Sequence, residues 1–293
     1  IFYYNSLIPE NIDLHKRVLT TICCEDCNYL PKIENAGKIL ISENNDSYQL
    51  MHNGIKILKD CYYGNWMTVL IEILKGHHEP QEEKAFHEVL KYIPKNAIML
   101  ELGSYWGYYS MWFQKEISGA KNYLIEPDPK NLIIGKKNFE LNNMSGNFTH
   151  AMIGQSSENF KKFIDWDYKE HQVKQICIDD FADDNNLDFI HILHSDIQGA
   201  EIDMLKGCKK LISQKRIGYF FISTHRGTHQ ECLKILDEAK LDILASITRE
   251  ESFSADGLII AKLPEIQGPK NLEISKRSVN FCTLIDEIIN DKK

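Results

Sequence analysis

The sequence lacks any long apolar run and any strongly basic stretch. No segment approaches the roughly 18 uninterrupted apolar residues of a membrane-spanning helix. No Lys/Arg run exceeds two residues, and the formal net charge is −8 with an isoelectric point near 5.8. An acidic chain without basic clusters has little attraction for polyanions. The composition therefore predicts no membrane span, and it makes nucleic acid or an anionic membrane a poor first choice of partner.

The sequence also lacks a complete metal-binding pattern. Its eight cysteines are widely spread, and Cys24-x-x-Cys27 has no second Cys-x-x-Cys or spaced His pair to complete a zinc motif. His77 and His78 are adjacent, so they would not share one face of a helix. These observations predict an exposed loop at Cys24 and Cys27, no metal site, reduced thiols and a cytoplasmic location.

A third absence concerns phosphate-binding motifs. The chain has neither Gly-x-Gly-x-x-Gly nor a glycine-rich loop that ends in a phosphate-binding Lys. What it has is a short apolar run, residues 98–102, followed by Gly103, Gly107 and a segment with aromatic residues at helical spacing. This order predicts a buried strand, a tight turn and a helix, the first βα unit of a doubly wound sheet. The pattern argues against NAD and ATP as ligands.

Acidic residues lie at the ends of the first two predicted strands. Glu126 follows the glycines by roughly 20 residues, where a carboxylate can accept hydrogen bonds from both ribose hydroxyls. Glu101 is placed to meet a cationic ligand group. A nucleoside with a cationic amino-acid tail and no phosphate is S-adenosylmethionine, which we predict as the cofactor. Its predicted binding residues are Glu101, Gly103, Ser104, Tyr105, Gly107, Glu126, Met152, Ile153 and Asp196.

Beyond Glu126, apolar runs and helical segments alternate regularly. Pro129 suits the first position of a helix that runs to about residue 142, and residues 155–174 indicate an inserted hairpin or loop. The last connection, residues 248–256, is too short and polar for a crossover helix, which predicts an antiparallel final strand. We therefore predict an α/β fold of the Rossmann-like class I methyltransferase type: a mostly parallel seven-stranded sheet with a terminal antiparallel hairpin.

The rest of the chain does not share this alternation. We predict a small N-terminal appendage at residues 1–80, the methyltransferase domain at residues 81–263, and a linker with a C-terminal helix at residues 264–293. The aromatic residues at 62–66 fit either packing against the main domain or a lid over its ligands.

Two titratable side chains follow the fourth and fifth predicted strands of the main domain. Asp196 and His225 would lie at the carboxyl edge of the sheet, where ligands of open α/β sheets bind. Transfer to a hydroxyl requires removal of a proton, and histidine can act as a base near neutral pH. We predict His225 as the catalytic base. Asp196 either takes that role with a raised pKa, orients the acceptor, or holds a metal.

Several spaced motifs together resemble the FkbM-type methyltransferases. The residues that carry the resemblance run from Glu101 to Ser110, from Glu126 to Pro129, from Cys177 to Asp180 and from Asp196 to Glu201, with Thr224 and His225 after the fifth strand. The match covers about residues 80–262. The chain departs from the family pattern at His194, Gln198 and Ser223, where the family usually has Lys, Glu and Glu.

The resemblance implies S-adenosylmethionine-dependent O-methylation, often of sugar hydroxyls in glycans or natural products, and thus a small-molecule or glycan acceptor. N-methylation is an alternative that would need less of a base. A non-catalytic module that binds the cofactor or a partner is another, because Gln198 and Ser223 replace family residues.

Overall fold

The computed structural model describes residues 12–41, 47–165 and 167–278. The chain divides into two compact units. The first comprises the chain up to His87, residues 247–257 and the chain from Glu273 onward; the second comprises Glu88–Ser246 and Leu258–Leu272. Every helix among the described residues is too short or too polar to traverse a bilayer.

The first unit combines short strands with helices. In chain order its elements are α1 (Ile12–Ile22), β1 (Ile39–Ile41), β2 (Ser47–Leu50), β3 (Lys56–Leu58), α2 (Asn65–Ile73) and α3 (Pro80–Leu90). The three strands form an antiparallel sheet with β2 in the middle. The sequence pattern indicates β1, β2, α2 and α3 but gives no prediction of α1 or β3.

The second unit has the βα alternation that the sequence predicts. Its elements are β4 (Ile98–Leu102), α4 (Tyr108–Glu116), β5 (Lys121–Glu126), α5 (Pro129–Leu141), β6 (Asn147–Ile153), β7 (Glu158–Ile164), β8 (Glu170–Ile176), α6 (Ile178–Asp184), β9 (Ile190–Ser195), α7 (Glu201–Gly207), α8 (Lys209–Ser213), β10 (Ile217–Thr224), α9 (His229–Glu238), β11 (Asp242–Ile247) and β12 (Gly257–Lys262).

Within the described residues these strands form one nine-stranded sheet in the order β11-β12-β10-β9-β4-β5-β6-β8-β7. The neighbours β4/β5, β5/β6, β4/β9, β9/β10 and β6/β8 pair in parallel, and β7/β8 pair antiparallel. The chain leaves β4 in one direction toward β5 and returns on its other side at β9. That reversal is the switch point at which doubly wound sheets bind their ligands.

The fold class is the predicted one, with one addition. The seven predicted strands are present, and the insertion at residues 155–174 supplies two more, the β7–β8 hairpin that extends the sheet beyond β6. The first predicted strand, residues 98–102, is β4, and β11 and β12 are neighbours joined by residues 248–256.

The hydrophobic core explains why these segments are strands. All eight residues of β10 are buried, as are four of the five in β4. Strands that are apolar along their whole length are typical of a parallel sheet covered on both faces. Helix α5 begins as predicted, because Pro129 occupies the first turn and the Asp128 side chain accepts a hydrogen bond from the Lys130 amide at 2.7 Å.

Three predictions lie partly or wholly outside the described residues: the polar turn at residues 43–46, Trp166 in the insertion, and the C-terminal helix near residues 281–289. The boundaries at residues 80 and 263, the lid and the cytoplasmic location stay predictions. Each cysteine in the described part is a free thiol. Cys24 and Cys27 are 3% and 4% exposed, so the prediction of an exposed loop there was wrong.

Candidate cofactor and catalytic site

The turn after β4 is built on two glycines. Gly103 has φ +69°, and a Cβ there would lie 1.9 Å from the Asp196 carbonyl oxygen. Its close approach is therefore to the backbone after β9. Gly107 has φ +72°, and a Cβ there would lie 2.9 Å from Phe139 Cε2 and 3.3 Å from Leu124 Cδ2. Gly107 thus lets the start of α4 pack against β5 and α5, as the sequence predicts.

The carboxylate of Glu126 holds this turn to the end of β5. Its Oε2 accepts from the Tyr105 amide at 2.9 Å and its Oε1 accepts from the Asp128 amide at 2.8 Å. Tyr105 itself has φ +42°, an uncommon conformation for a bulky residue and one that concentrates at functional sites. Burial raises the pKa of the Glu126 carboxyl to about 7, although these two amides favour its charged form.

The Glu101 carboxylate also accepts a hydrogen bond from a backbone amide, at the start of α4. It is 4% exposed, and its Oε2 accepts from the Ser110 amide at 3.1 Å. A carboxylate at this place stabilises the N-terminal turn of α4, where unpaired amides and the helix dipole favour negative charge. Contact between Glu101 and a cationic ligand group stays a prediction.

The remaining predicted cofactor residues lie at the same edge of the sheet. Ser104 is 2% exposed, and its Oγ has no hydrogen-bond partner among the described residues. Met152 and Ile153 form the end of β6, which pairs with β5 so that His150 lies opposite Glu126. The two residues therefore lie beyond the end of β5. A buried hydroxyl without a partner is costly unless a ligand or water completes it.

The second cluster joins the loops after β9 and β10. His225 Nδ1 lies 2.8 Å from Glu201 Oε1, and its Nε2 lies 3.2 Å from Asp196 Oδ1. The Gln198 amide nitrogen donates to Asp196 Oδ1 at 2.8 Å and lies 2.9 Å from His225 Nε2. The structure thus places the two predicted catalytic residues side by side.

The contacts of His225 Nε2 make two opposite demands on its proton. With Gln198 oriented so that its amide nitrogen donates to Asp196 Oδ1, the same nitrogen faces Nε2 and favours a lone pair there. Asp196 Oδ1, 3.2 Å from Nε2, favours a proton there, and Nδ1 faces Glu201 Oε1 at 2.8 Å in either state. A base whose second nitrogen is held by a buried carboxylate is the arrangement found in catalytic triads.

Glu201 is the functional candidate that the sequence analysis missed. It is fully buried; its Oε1 also accepts from the Gly199 amide at 2.9 Å, and its Oε2 accepts from Thr228 Oγ1 at 2.9 Å. The sequence indicated a residue that caps or braces the following helix. Its contact with His225 depends on the packing of two loops 24 residues apart, which spacing alone does not reveal.

The solvent exposure of the side chains increases along the network from Glu201 through His225 to Asp196. The Glu201 side chain is 0% exposed, that of His225 is 7% exposed and that of Asp196 is 27% exposed. An acceptor can therefore approach the Asp196 side while the Glu201 side stays dry.

A doubly wound sheet, a glycine turn after its first strand and an acidic residue after its second define the class of Rossmann-like nucleotide-binding domains. Comparison with protein families agrees: the model of the methyltransferase FkbM domain matches residues 95–245, just over half of the chain. The chain belongs to this family. Residues 95–245 are thus a methyltransferase domain of the FkbM type.

Solved structures with a similar fold are distant in sequence. A methyltransferase FkbM from Methylobacillus flagellatus KT is 20% identical, with a TM-score of 0.45 over 67% of this chain and 52% of that one. TrmK of M. capricolum, solved with S-adenosyl-homocysteine, is 14% identical, with a TM-score of 0.39 over 71% and 82%. The chain thus spans about half the length of the first of these structures. None of the curated proteins matches it.

Proposed function

We propose that this methyltransferase acts on a hydroxyl group of a sugar, a glycan or a natural product. The observation that carries the proposal is the Glu201–His225 pair at the carboxyl edge of the sheet, with Nε2 facing Asp196 and Gln198. A hydroxyl is a weak nucleophile until it loses its proton, so an oriented base is of most use with this class of acceptor.

The turn after β4 and the end of β5 fit the cofactor. A carboxylate offers about four lone-pair sites, and the two backbone amides on Glu126 leave room for a ribose hydroxyl. The buried Ser104 Oγ is a further group that a ligand can satisfy. Glu101, Gly103, Tyr105, Gly107, Met152, Ile153 and Asp196 complete the proposed site. S-adenosylmethionine supplies the electrophilic methyl group on its sulfonium.

His225 is proposed to take the acceptor proton at Nε2. The acceptor hydroxyl displaces the Gln198 amide from that nitrogen, and Asp196 Oδ1, 3.2 Å away, orients the incoming group. Glu201 then stabilises the imidazolium through Nδ1, and the surrounding bonds from Gly199 and Thr228 keep Glu201 in place.

Two other acceptor classes fit less well. A neutral amine is already nucleophilic, so the Glu201–His225 pair would have little to do in N-methylation. A nucleic acid would meet a chain of net charge −8 without a basic run. Methylation of an amine and methylation of a nucleic acid are both outcomes that the following experiment can detect.

The test is incubation of the full chain with methyl-labelled S-adenosylmethionine and separate pools of sugars and glycans, amines and peptides, and RNA. The proposal expects label in the hydroxyl pool, as an ether that survives mild acid and base. Label confined to amines or RNA would replace the acceptor class. Cofactor binding by calorimetry without turnover in any pool would indicate a non-catalytic module.

A further inference from the structure

A second cluster of buried reactive side chains lies in the first unit, apart from the residues used above. Cys27, His77 and Glu83 each offer a ligand atom, and these atoms lie within 4.8 Å of one another. Their exposed fractions are 4%, 0% and 0%. Thiol, imidazole and carboxylate are the three donor types that zinc binds in proteins.

Two separate segments bring these donors together. Cys27 lies in the turn after α1, where its Sγ is 3.2 Å from the Pro80 carbonyl oxygen. Glu83 lies in the first turn of α3, and its Oε1 accepts from the His78 and Glu79 amides at 2.7 and 3.1 Å. His77 comes just before that helix. The helix start therefore fixes Glu83, and the neighbouring turn carries the thiol against it.

The His77 ring indicates that the cluster has a missing partner. Its Nδ1 lies 2.5 Å from Glu83 Oε2, and its ring stacks on His52 at 4.1 Å between centroids. Its Nε2 is buried and has no hydrogen-bond partner among the described residues. Buried polar atoms in folded proteins nearly always have a partner, because an unpaired one loses its hydration without compensation.

We propose that Cys27, His77 and Glu83 bind a structural Zn²⁺ ion. Ligand atoms around a tetrahedral zinc lie roughly 3.5 Å apart, so the widest separation of 4.8 Å must shrink by about 1.3 Å. Glu83 Oε2 must also exchange its 2.5 Å contact with His77 Nδ1 for the metal. His52, whose Nε2 is 3.9 Å from Glu83 Oε2, takes the fourth position. The closed surroundings are those of a structural site, which would tie the turn after α1 to the start of α3.

The test begins with the full chain after removal of metals by a chelator. Titration with Zn²⁺ against a chromophoric competitor should show one equivalent bound, and thermal unfolding should move to higher temperature with added Zn²⁺. Substitution by Co²⁺ should produce thiolate-to-metal charge-transfer absorption together with the visible bands of tetrahedral cobalt. None of these readouts depends on methyl transfer.

Matched cysteine variants identify the donor. Cys24 is buried to the same degree three residues earlier and lies outside the cluster, so Cys24→Ser should bind Zn²⁺ as the unmodified chain does. Cys27→Ser should weaken binding by at least about 100-fold and abolish the charge-transfer band. His77→Gln should weaken it similarly, and circular dichroism checks that each variant folds.

The unmodified chain decides the question if a variant fails to fold. Failure of the metal-free protein to take up Zn²⁺ at micromolar concentration would overturn the proposal. So would Zn²⁺ binding that leaves the Co²⁺ spectrum without a thiolate band, or equal affinities for Cys24→Ser and Cys27→Ser.

Discussion

The two side-chain clusters of this protein differ in how far solvent can reach them. The network at the sheet edge runs from the closed Glu201 to Asp196, whose side chain is 27% exposed. The cluster of Cys27, His77 and Glu83 is closed at every member, with no exposed fraction above 4%. A group that reacts with a varying acceptor must stay reachable, whereas a closed cluster can only serve the fold or a resident ion.

They also differ in what positions them. Asp196 and His225 meet because β9 and β10 are parallel neighbours, so their following loops leave the same edge of one sheet. No comparable rule brings Cys27, His77 and Glu83 together, since one lies in a turn and the others flank the start of a helix. Regular topology thus makes the first cluster foreseeable and leaves the second to the details of packing.

The largest effect is expected from removal of the base. His225→Ala should lower turnover by roughly 10²–10⁴-fold, the usual contribution of a positioned base. His229→Ala is the matched control, because His229 is equally buried but contacts Thr224 and Ser246 instead. Turnover and the thermal midpoint are measured for both variants. Full turnover in His225→Ala would remove the assignment and leave Asp196 or no base.

The next largest effect is expected on the stability of the fold, from a change in the closed cluster of the first unit. Glu83→Gln removes a buried carboxylate that lies within hydrogen-bond distance of the His77 and His78 rings and accepts from two backbone amides. Breaking such a pair should lower the free energy of unfolding by about 3–5 kcal/mol. The control Glu72→Gln breaks an exposed pair with Lys38 and should cost about 0–1 kcal/mol. Denaturant unfolding measures both, and equal midpoints would contradict the difference drawn between closed and exposed pairs.

The sequence predicts the parallel core of the fold because buried strands and glycine turns leave local signals. Gly103, Gly107 and Glu126 are recognisable from order and spacing. The role of Glu201 was missed because a carboxylate after Gly199 has the same local pattern whether it caps a helix or holds a distant imidazole.

The cluster in the first unit was not foreseen for a related reason, and the prediction of no metal site there stays a prediction. The prediction rejected His77 and His78 because adjacent residues do not share a helix face, but both precede α3, and both rings approach Glu83. It also treated Cys27 as half of an incomplete motif. Donors from two unrelated segments follow no fixed spacing, so only the folded arrangement brings them into view.

A smaller effect is expected on the affinity for the cofactor product when Glu126 is changed. Burial raises the pKa of Glu126 to about 7, and ribose hydroxyls would donate to its charged form. Binding then releases a proton, so affinity for S-adenosylhomocysteine should rise with pH up to about 7 and level off above it. Glu126→Gln should weaken binding about 10- to 100-fold and flatten this dependence.

Calorimetry at several pH values and in buffers of different ionisation enthalpy measures both the affinity and the released proton. Glu140→Gln, an exposed change on α5, is the control and should behave as the unmodified chain. An affinity independent of pH in the unmodified chain would contradict the contact between Glu126 and the ribose.

The smallest and most specific effect is expected from Gln198. Its amide donates toward His225 Nε2 and Asp196 Oδ1, which favours the unprotonated nitrogen. In Gln198→Glu a carboxylate replaces the donor and favours the imidazolium instead. The rising limb of turnover against pH should therefore move upward by about one pH unit, with maximal turnover retained at high pH. Gln198→Ala removes the donor without adding charge and should move the limb much less. Profiles for the three proteins, measured at saturating cofactor, distinguish an electrostatic effect from simple loss of packing. Superimposable profiles would mean that His225 does not take the proton.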